Sequence, residues 1–261
     1  MEFTRDLHRC APTGDTALTV RAHALAGGHS GEVINEGRGN AIKAVADVLY
    51  RLSEGGVEYA LADYKGGVAA NAIPSDASAV VVVAAKDVDR VKATVAAAEK
   101  DFNLVYGETD PNAVFEVMPA DLPKSVLSAE DTTSIVDVIN LLHCGVFAMD
   151  RRLPRLPALS ASLGTIETRE DVLAFQYFPR SSSDARLQAL VRVMPIMAKC
   201  TGTKVHIEKP FPAWTESKNS KLQALMADAY KDVMGKEPRV EAIHGGLETG
   251  FLYAMNPDLD I

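Results

Sequence analysis

The sequence of 261 residues has little cysteine, one tryptophan and no long apolar run. Its three cysteines, Cys10, Cys144 and Cys200, are far apart and odd in number, so a disulfide framework is not expected. No apolar run approaches the ~20 residues that span a bilayer. The N-terminal residues also lack the apolar core of a secretory signal. These absences predict a cytoplasmic protein with no membrane partner.

Basic charge is also scarce, because 27 lysines and arginines face 35 aspartates and glutamates, for a formal net charge of −8. A general nucleic-acid binder needs a basic face, so nucleic acid is not an expected partner. The sequence has no His-Glu-x-x-His, Cys-x-x-Cys, Gly-x-Ser-x-Gly or P-loop motif. Its six histidines are scattered without metal-ligand spacing, so no metal site is expected in this chain.

Helical and extended patterns alternate along the whole chain. Residues 77–85 centre on four consecutive valines, which predicts a strand buried on both faces. A helix is expected after Asn40, which can cap it, and Gly55-Gly56 would end it. Further helices are predicted at 87–101, 132–143, 184–201 and 218–234, and further strands at 17–25, 57–62, 113–118, 158–167, 172–179, 203–208 and 239–243. The pattern favours an α+β fold, with helices covering one face of a mixed or antiparallel sheet.

Two glycine-rich turns in the first third of the chain carry candidate site residues. His29 stands in Gly27-Gly28-His29-Ser30-Gly31, where flexible backbone can approach a ligand and an imidazole can donate to a developing oxyanion. Asn71, just before Ile73-Pro74, could offer an amide to a substrate carbonyl. Taken alone, an ordinary exposed loop histidine and a turn asparagine are the more common interpretations of these two residues.

Two later segments carry the remaining candidates. Arg180 precedes three serines between a predicted strand and a predicted helix, a context that suits a carboxylate or phosphate. The segment His244-Gly245-Gly246-Leu247-Glu248 follows a predicted strand, and Glu248 could pair with a substrate ammonium group. A plain helix cap with a surface arginine, and a glycine-rich turn before a helix, are the alternatives. Together the candidates suit a small zwitterion with an amino group at one end and a carboxylate at the other.

These segments resemble, in the same order, the motifs of the aminoacyl-histidine (Xaa-His) dipeptidases, a family of two-zinc metallopeptidases. The similarity covers essentially the whole chain and is weakest over 100–157. The stretch PALSAS at 157–162 departs from the family, in which an acidic and threonine-containing pattern is usual. The matching motifs are LAGGHSG at 25–31, GRGNAIK at 37–43, DYKGG at 63–67, NAIP at 71–74, RSS at 180–182, FPAW at 211–214 and IHGGLETG at 243–250.

The resemblance implies a homodimeric enzyme in which two zinc ions activate water to hydrolyse carnosine-like dipeptides. It implies that His29 reaches across the dimer to stabilise the tetrahedral intermediate. It further implies that Asn71 and Arg180 contact the substrate carbonyl or carboxylate, and that Gly246 and Glu248 line the substrate pocket.

The resemblance also divides the chain into an edge of the catalytic domain (1–16), a lid or dimerisation domain (17–208) and a partial catalytic domain (209–261). In the family, the zinc ligands lie before and after the region that this sequence covers. The chain alone is therefore expected to bind no zinc and to be inactive. Two alternatives remain: a non-catalytic module that dimerises or binds a small molecule, and an unrelated regulatory domain that binds amino acids.

Overall fold

The computed structural model describes residues 1–151, 153, 155–212 and 219–261. Thirteen strands, seven α-helices and two short 3-10 helices (Ile34–Glu36 and Ala85–Asp87) fall within these ranges. The strands are β1 (Glu2–Asp6), β2 (Arg9–Cys10), β3 (Thr16–His23), β4 (Gly28–His29), β5 (Tyr59–Gly66), β6 (Ala72–Ile73), β7 (Ala77–Val83), β8 (Val114–Ala120), β9 (Val126–Leu127), β10 (Gly145–Met149), β11 (Pro157–Thr168), β12 (Val172–Ser181) and β13 (Lys204–His206). The helices are α1 (Ala41–Glu54), α2 (Val88–Tyr106), α3 (Ala129–Leu141), α4 (Asp184–Val191), α5 (Met194–Cys200), α6 (Lys221–Met234) and α7 (Thr249–Met255).

Nine strands form one sheet in the order β13-β1-β12-β11-β5-β7-β3-β8, and β10 pairs with β11 off this path. Every pairing described in it is antiparallel. Strands β2 and β9 form a separate ladder, as do β4 and β6. The α+β fold expected from the sequence is therefore confirmed.

The centre of the sheet forms where the sequence is most apolar. Strand β7 pairs with β3 on one side and β5 on the other, and six of its seven residues are buried. Helix α1 packs on this part of the sheet and contributes eight buried residues to the core. The side chain of Asn40 accepts a hydrogen bond from the Lys43 N–H, so Asn40 caps the helix as predicted.

Helices α2 and α3 flank α1 and complete the helical layer. Phe102 of α2 packs on Phe115 of β8, with 5.2 Å between the ring centroids. The opposite face of the sheet carries a smaller buried cluster, which includes Ala17, Ala62 and Val82. Most of the buried core therefore lies between the sheet and the three helices.

The first residues join the sheet beside its late strands, since β1 lies between β12 and β13. Phe3 stacks on Phe175, with 5.1 Å between ring centroids. Residues 2–6 are thus hydrogen-bonded to strands of the predicted lid. The proposed domain boundaries at 16/17 and 208/209 stay predictions.

Three predictions of secondary structure are wrong. The expected helix at 184–201 is two helices, because Pro195 stands in the first turn of α5, where a missing N–H is tolerated, and the chain breaks before it. Residues 239–243 form no strand, and their backbone makes no ladder with any described residue. The sequence pattern also predicts that residues 257–261 open a strand, but they form a turn at 257–258 and no strand.

The predicted late helix is confirmed as α6, which Gly235 ends in the left-handed conformation with φ 68°. The expected start at 218 lies outside the described residues, and so do Ala213 and Trp214 of the FPAW motif. Helix α6 buries none of its residues. No helix in the described ranges is both long and apolar enough to cross a membrane.

Candidate functional site

The loop that carries His29 is built on a short ladder with the loop that carries Asn71. Strand β4 pairs with β6, with His29 opposite Ala72. The Ser30 N–H then donates to the Asn71 carbonyl at 2.8 Å. Glycine is required at Gly28, where φ is +121° and a Cβ would lie 2.8 Å from the Arg38 guanidinium. The fold thus brings the loops of His29 and Asn71 together.

Asp110 fixes the ends of the His29 loop. One carboxylate oxygen accepts from the Ala26 N–H and the other from the Gly39 N–H, each at 2.8 Å. Asp110 is only 1% exposed, so these bonds are shielded from water. Asp110 is not among the site residues predicted from the sequence. The only local signal is its place in the turn-forming sequence Thr109-Asp110-Pro111.

The imidazole of His29 is partly open to solvent, with 39% of the side chain exposed. Its Nδ1 is buried without a hydrogen bond and lies 3.9 Å from Oε1 of Glu32, which is too far for one. Asn71 is exposed. Both side chains are therefore placed at the surface of the loop cluster rather than in the core.

Arg180, near the end of β12, lies against the same loop. Its Nε donates to the Ser30 hydroxyl at 3.3 Å, and its guanidinium stands 4.6 Å from the centre of the Phe178 ring. Its two Nη groups donate to none of the residues that the structure describes. Burial lowers the pKa of Arg180, although an arginine keeps its charge at all ordinary pH values. A half-buried cation therefore presents an open edge of N–H donors.

His244 approaches this group from the C-terminal part of the chain. Its Nε2 lies 2.7 Å from Oγ of Ser160, the residue opposite Arg180 in the ladder of β11 and β12. His244 is 7% exposed and Ser160 is 1% exposed. Burial, with a smaller contribution from the charge of Arg180, lowers the pKa of His244 to about 4. The imidazole is consequently neutral at neutral pH.

Gly246 and Glu248 continue from His244 but are exposed. A Cβ at Gly246 would lie 3.6 Å from the Phe211 side chain, an ordinary contact. Glu248 directly precedes α7, and its side chain makes no hydrogen bond or ion pair with a described residue. The fold groups His29, Asn71 and Arg180, whereas Gly246 and Glu248 stand beside this group without a bond to it.

Among the described residues, the histidines and acidic residues do not form the donor set that a pair of zinc ions needs. In the described part of the chain, no three His, Cys, Asp or Glu side chains come together in a way that could hold a metal ion. The histidines instead have separate neighbours, such as Asp131 for His8 and Glu116 for His23. The expectation that this chain alone binds no zinc stays a prediction.

Residues 22–110 match the family model of the peptidase dimerisation domain. The whole chain is 26% identical to the cytosol non-specific dipeptidase of Escherichia coli (strain K12) and covers 54% of it. The fold matches a crystal structure of aminoacylhistidine dipeptidase from Vibrio alginolyticus with a TM-score of 0.88 and 25% identity. That match covers 99% of this chain and 53% of the other. The chain is therefore similar to these dipeptidases in sequence and in fold over almost its whole length.

The family resemblance drawn from the seven short motifs is therefore confirmed, and so is the fold that it implies. The chain spans about half of the length of both dipeptidases. The match to the dimerisation domain contains His29 and Asn71, whereas Arg180, Gly246 and Glu248 lie beyond it.

Proposed function

We propose that this chain supplies the dimerisation domain and part of the substrate pocket of a cytosolic metallo-dipeptidase that cleaves Xaa-His and related dipeptides. Two comparisons support this, one with a cytosol non-specific dipeptidase and one with an aminoacylhistidine dipeptidase, each over almost the whole of this chain. The match to a peptidase dimerisation domain supports a homodimer. In this proposal the zinc ions act in the intact enzyme, and the described residues bind and orient the peptide.

The observation that carries the proposal is the open guanidinium edge of Arg180. A carboxylate can accept two parallel N–H bonds from such an edge, and the pairing is strong where water is partly excluded. Ser30 and Phe178 already hold the Nε–H and one face of the group, so little side-chain freedom remains to be lost on binding. We assign Arg180 to the C-terminal carboxylate of the dipeptide.

His29 and Asn71 are assigned to the scissile carbonyl, His29 from across the dimer. Both are exposed or half-exposed on loops joined by the β4–β6 ladder, so a change in one loop would move the other. A developing oxyanion is stabilised by donors that are already in position. Glu248 is assigned to the substrate ammonium and Gly246 to the pocket wall, as the family resemblance implies; both are exposed and lie within four residues of His244 along the chain.

A carboxylate-binding test addresses the proposal directly. Calorimetry would compare the affinity of the purified chain for β-alanyl-histidine with its affinity for the C-terminal amide of the same dipeptide. We expect the acid to bind about tenfold more tightly, because a charged, partly desolvated pair contributes of the order of 1–3 kcal/mol. Arg180→Gln should remove the preference. Arg186→Gln, at an exposed arginine of α4, is the matched control.

Equal affinity of the wild-type chain for acid and amide would contradict the assignment of Arg180. The zinc content of the purified chain and its hydrolysis of β-alanyl-histidine are measured beside the affinities. Neither zinc nor turnover would support a partial dipeptidase that needs further zinc-binding segments to act, whereas stoichiometric zinc with turnover would show that the zinc ligands lie in this chain. The match over 22–110 also supports the alternative of a non-catalytic dimerisation or binding module, which predicts a stable homodimer without zinc.

A further inference from the structure

A buried serine–histidine pair joins two distant parts of the chain beside Arg180. Ser160 belongs to β11, and His244 stands 84 residues later, just before α7. The 2.7 Å bond between Oγ and Nε2 is the only hydrogen bond that either side chain makes with a described residue. Buried polar groups are costly unless they are paired, so each side chain depends on the other.

The backbone of His244 is in equally close contact with the His29 loop. A Cβ placed on Gly31 would lie 2.6 Å from the His244 carbonyl oxygen and 3.2 Å from Cζ of Arg180. The same hypothetical atom would be 3.1 Å from Cε1 of His29. The His244 carbonyl, the Arg180 guanidinium and the His29 imidazole therefore all lie close to Gly31.

Arg180 is also a neighbour of the His244 imidazole, because its positive charge contributes to the lowered pKa of His244. An imidazolium here would repel the guanidinium and compete with it for the anion. A neutral imidazole instead provides a packed and uncharged wall. Arg180 then has Ser30 on its Nε, Phe178 on one face and His244 beside it.

We propose that His244 is a positioning residue of the Arg180 pocket. Its imidazole, bonded to Ser160, and its carbonyl, packed on Gly31, hold the guanidinium and the His29 loop in one arrangement. This inference rests on the proposed function, since it assigns to His244 the orientation of the donor that receives the dipeptide carboxylate. His244 acts through Arg180 and does not itself bind the substrate.

The test measures the ratio of affinities for β-alanyl-histidine and its C-terminal amide in the full chain. Ser160→Ala and His244→Ala should each lower this ratio about tenfold, a typical coupling for contacting residues. His244→Gln places an amide nitrogen near the position of Nε2 and should restore most of it. Ser162→Ala removes an equally buried hydroxyl from the same strand and should leave the ratio unchanged.

A double-mutant cycle separates positioning from a general structural role. If His244 acts through Arg180, then His244→Ala lowers the ratio in the wild type but not in a background that already carries Arg180→Gln. Loss of stability alone would give no such dependence. The proposal is wrong if His244→Ala keeps the wild-type ratio, or if its effect is the same in both backgrounds.

If the wild-type chain shows no preference for the acid, only the assignment of Arg180 to the carboxylate is refuted. A second measurement then tests the positioning role of His244 independently. Nitrogen-15 NMR of the arginine Nε–H groups reports the bond from Arg180 to Ser30. We expect slow hydrogen exchange of this N–H in the wild type, in Ser162→Ala and in His244→Gln. Fast exchange is expected in His244→Ala, and unchanged exchange there would overturn the positioning role.

Discussion

Replacement of Asp131 by asparagine is expected to cause the largest loss of stability among single changes at the sheet edge. Asp131 is fully buried, and its two oxygens accept from Arg5 Nε at 2.7 Å and from the His8 N–H at 2.6 Å. Arg5 is itself only 9% exposed at its side chain. The pair joins β1 to the first turn of α3, so the bond connects the N-terminus of the chain to the helical layer.

The size of the stability loss follows from the buried donors that asparagine leaves without an acceptor. Its NH₂ group must face either the Arg5 guanidinium or the His8 N–H, and both are donors. Breaking a buried ion pair while one charge remains costs about 3–5 kcal/mol. For a chain of this size that is a fall in Tm of about 10 °C. Glu130→Gln is the control, because Glu130 also pairs with Arg5 at 2.9 Å but is 85% exposed, and such surface pairs contribute about 0–1 kcal/mol.

The assay is urea unfolding of wild type, Asp131→Asn and Glu130→Gln at neutral pH and at pH 3. Burial alone would raise the pKa of Asp131, but hydrogen bonds from the His8 N–H, Arg5 and Ser128 outweigh it and lower the pKa. The folded carboxyl therefore holds its proton less tightly than the unfolded one. Its contribution is complete above the ordinary pKa of 3.8 and is lost as the pH falls through the folded pKa.

The advantage of the wild type over Asp131→Asn should accordingly shrink in acid. If Asp131→Asn and Glu130→Gln unfold at the same urea concentration at neutral pH, the burial argument is refuted.

Two further predictions concern a turn and a thiol. Gly67 and Gly37 both have φ +72°, but a Cβ on Gly67 would lie 1.9 Å from the Gly164 carbonyl oxygen, whereas one on Gly37 would meet nothing within 4 Å. Gly37→Ala should lower the free energy of unfolding by about 1–2 kcal/mol through backbone strain. Gly67→Ala should lower it by about 2–5 kcal/mol, because overpacking adds to that strain. Equal unfolding midpoints for the two variants would contradict this difference. Burial raises the pKa of Cys144 to about 11, so titration with a thiol reagent at pH 8 should modify the two exposed cysteines quickly and Cys144 only on unfolding. Three equally fast thiols would show that Cys144 is accessible.

Much of the fold follows from local rules that can be applied to the sequence. Asn40 caps α1, Gly235 ends α6, and the run of valines forms the central strand, because caps, left-handed glycines and β-branched runs act within a few residues. The wrong strand at 239–243 shows the limit of such rules. A strand also needs a neighbour to accept its hydrogen bonds, and the sequence pattern does not contain one.

For the candidate site too, some features follow from the sequence and others only from the tertiary structure. The sequence by itself determined which residue types stand in glycine-rich turns, and the family motifs predicted one set of site residues: His29, Asn71, Arg180, Gly246 and Glu248. Only the tertiary structure decided that Asp110 anchors the His29 loop and that Ser160 meets His244 across 84 residues. Long-range contacts such as these depend on how β11, β12 and the C-terminal segment pack together. That packing is set by the burial of the whole core, and no short stretch of sequence specifies it.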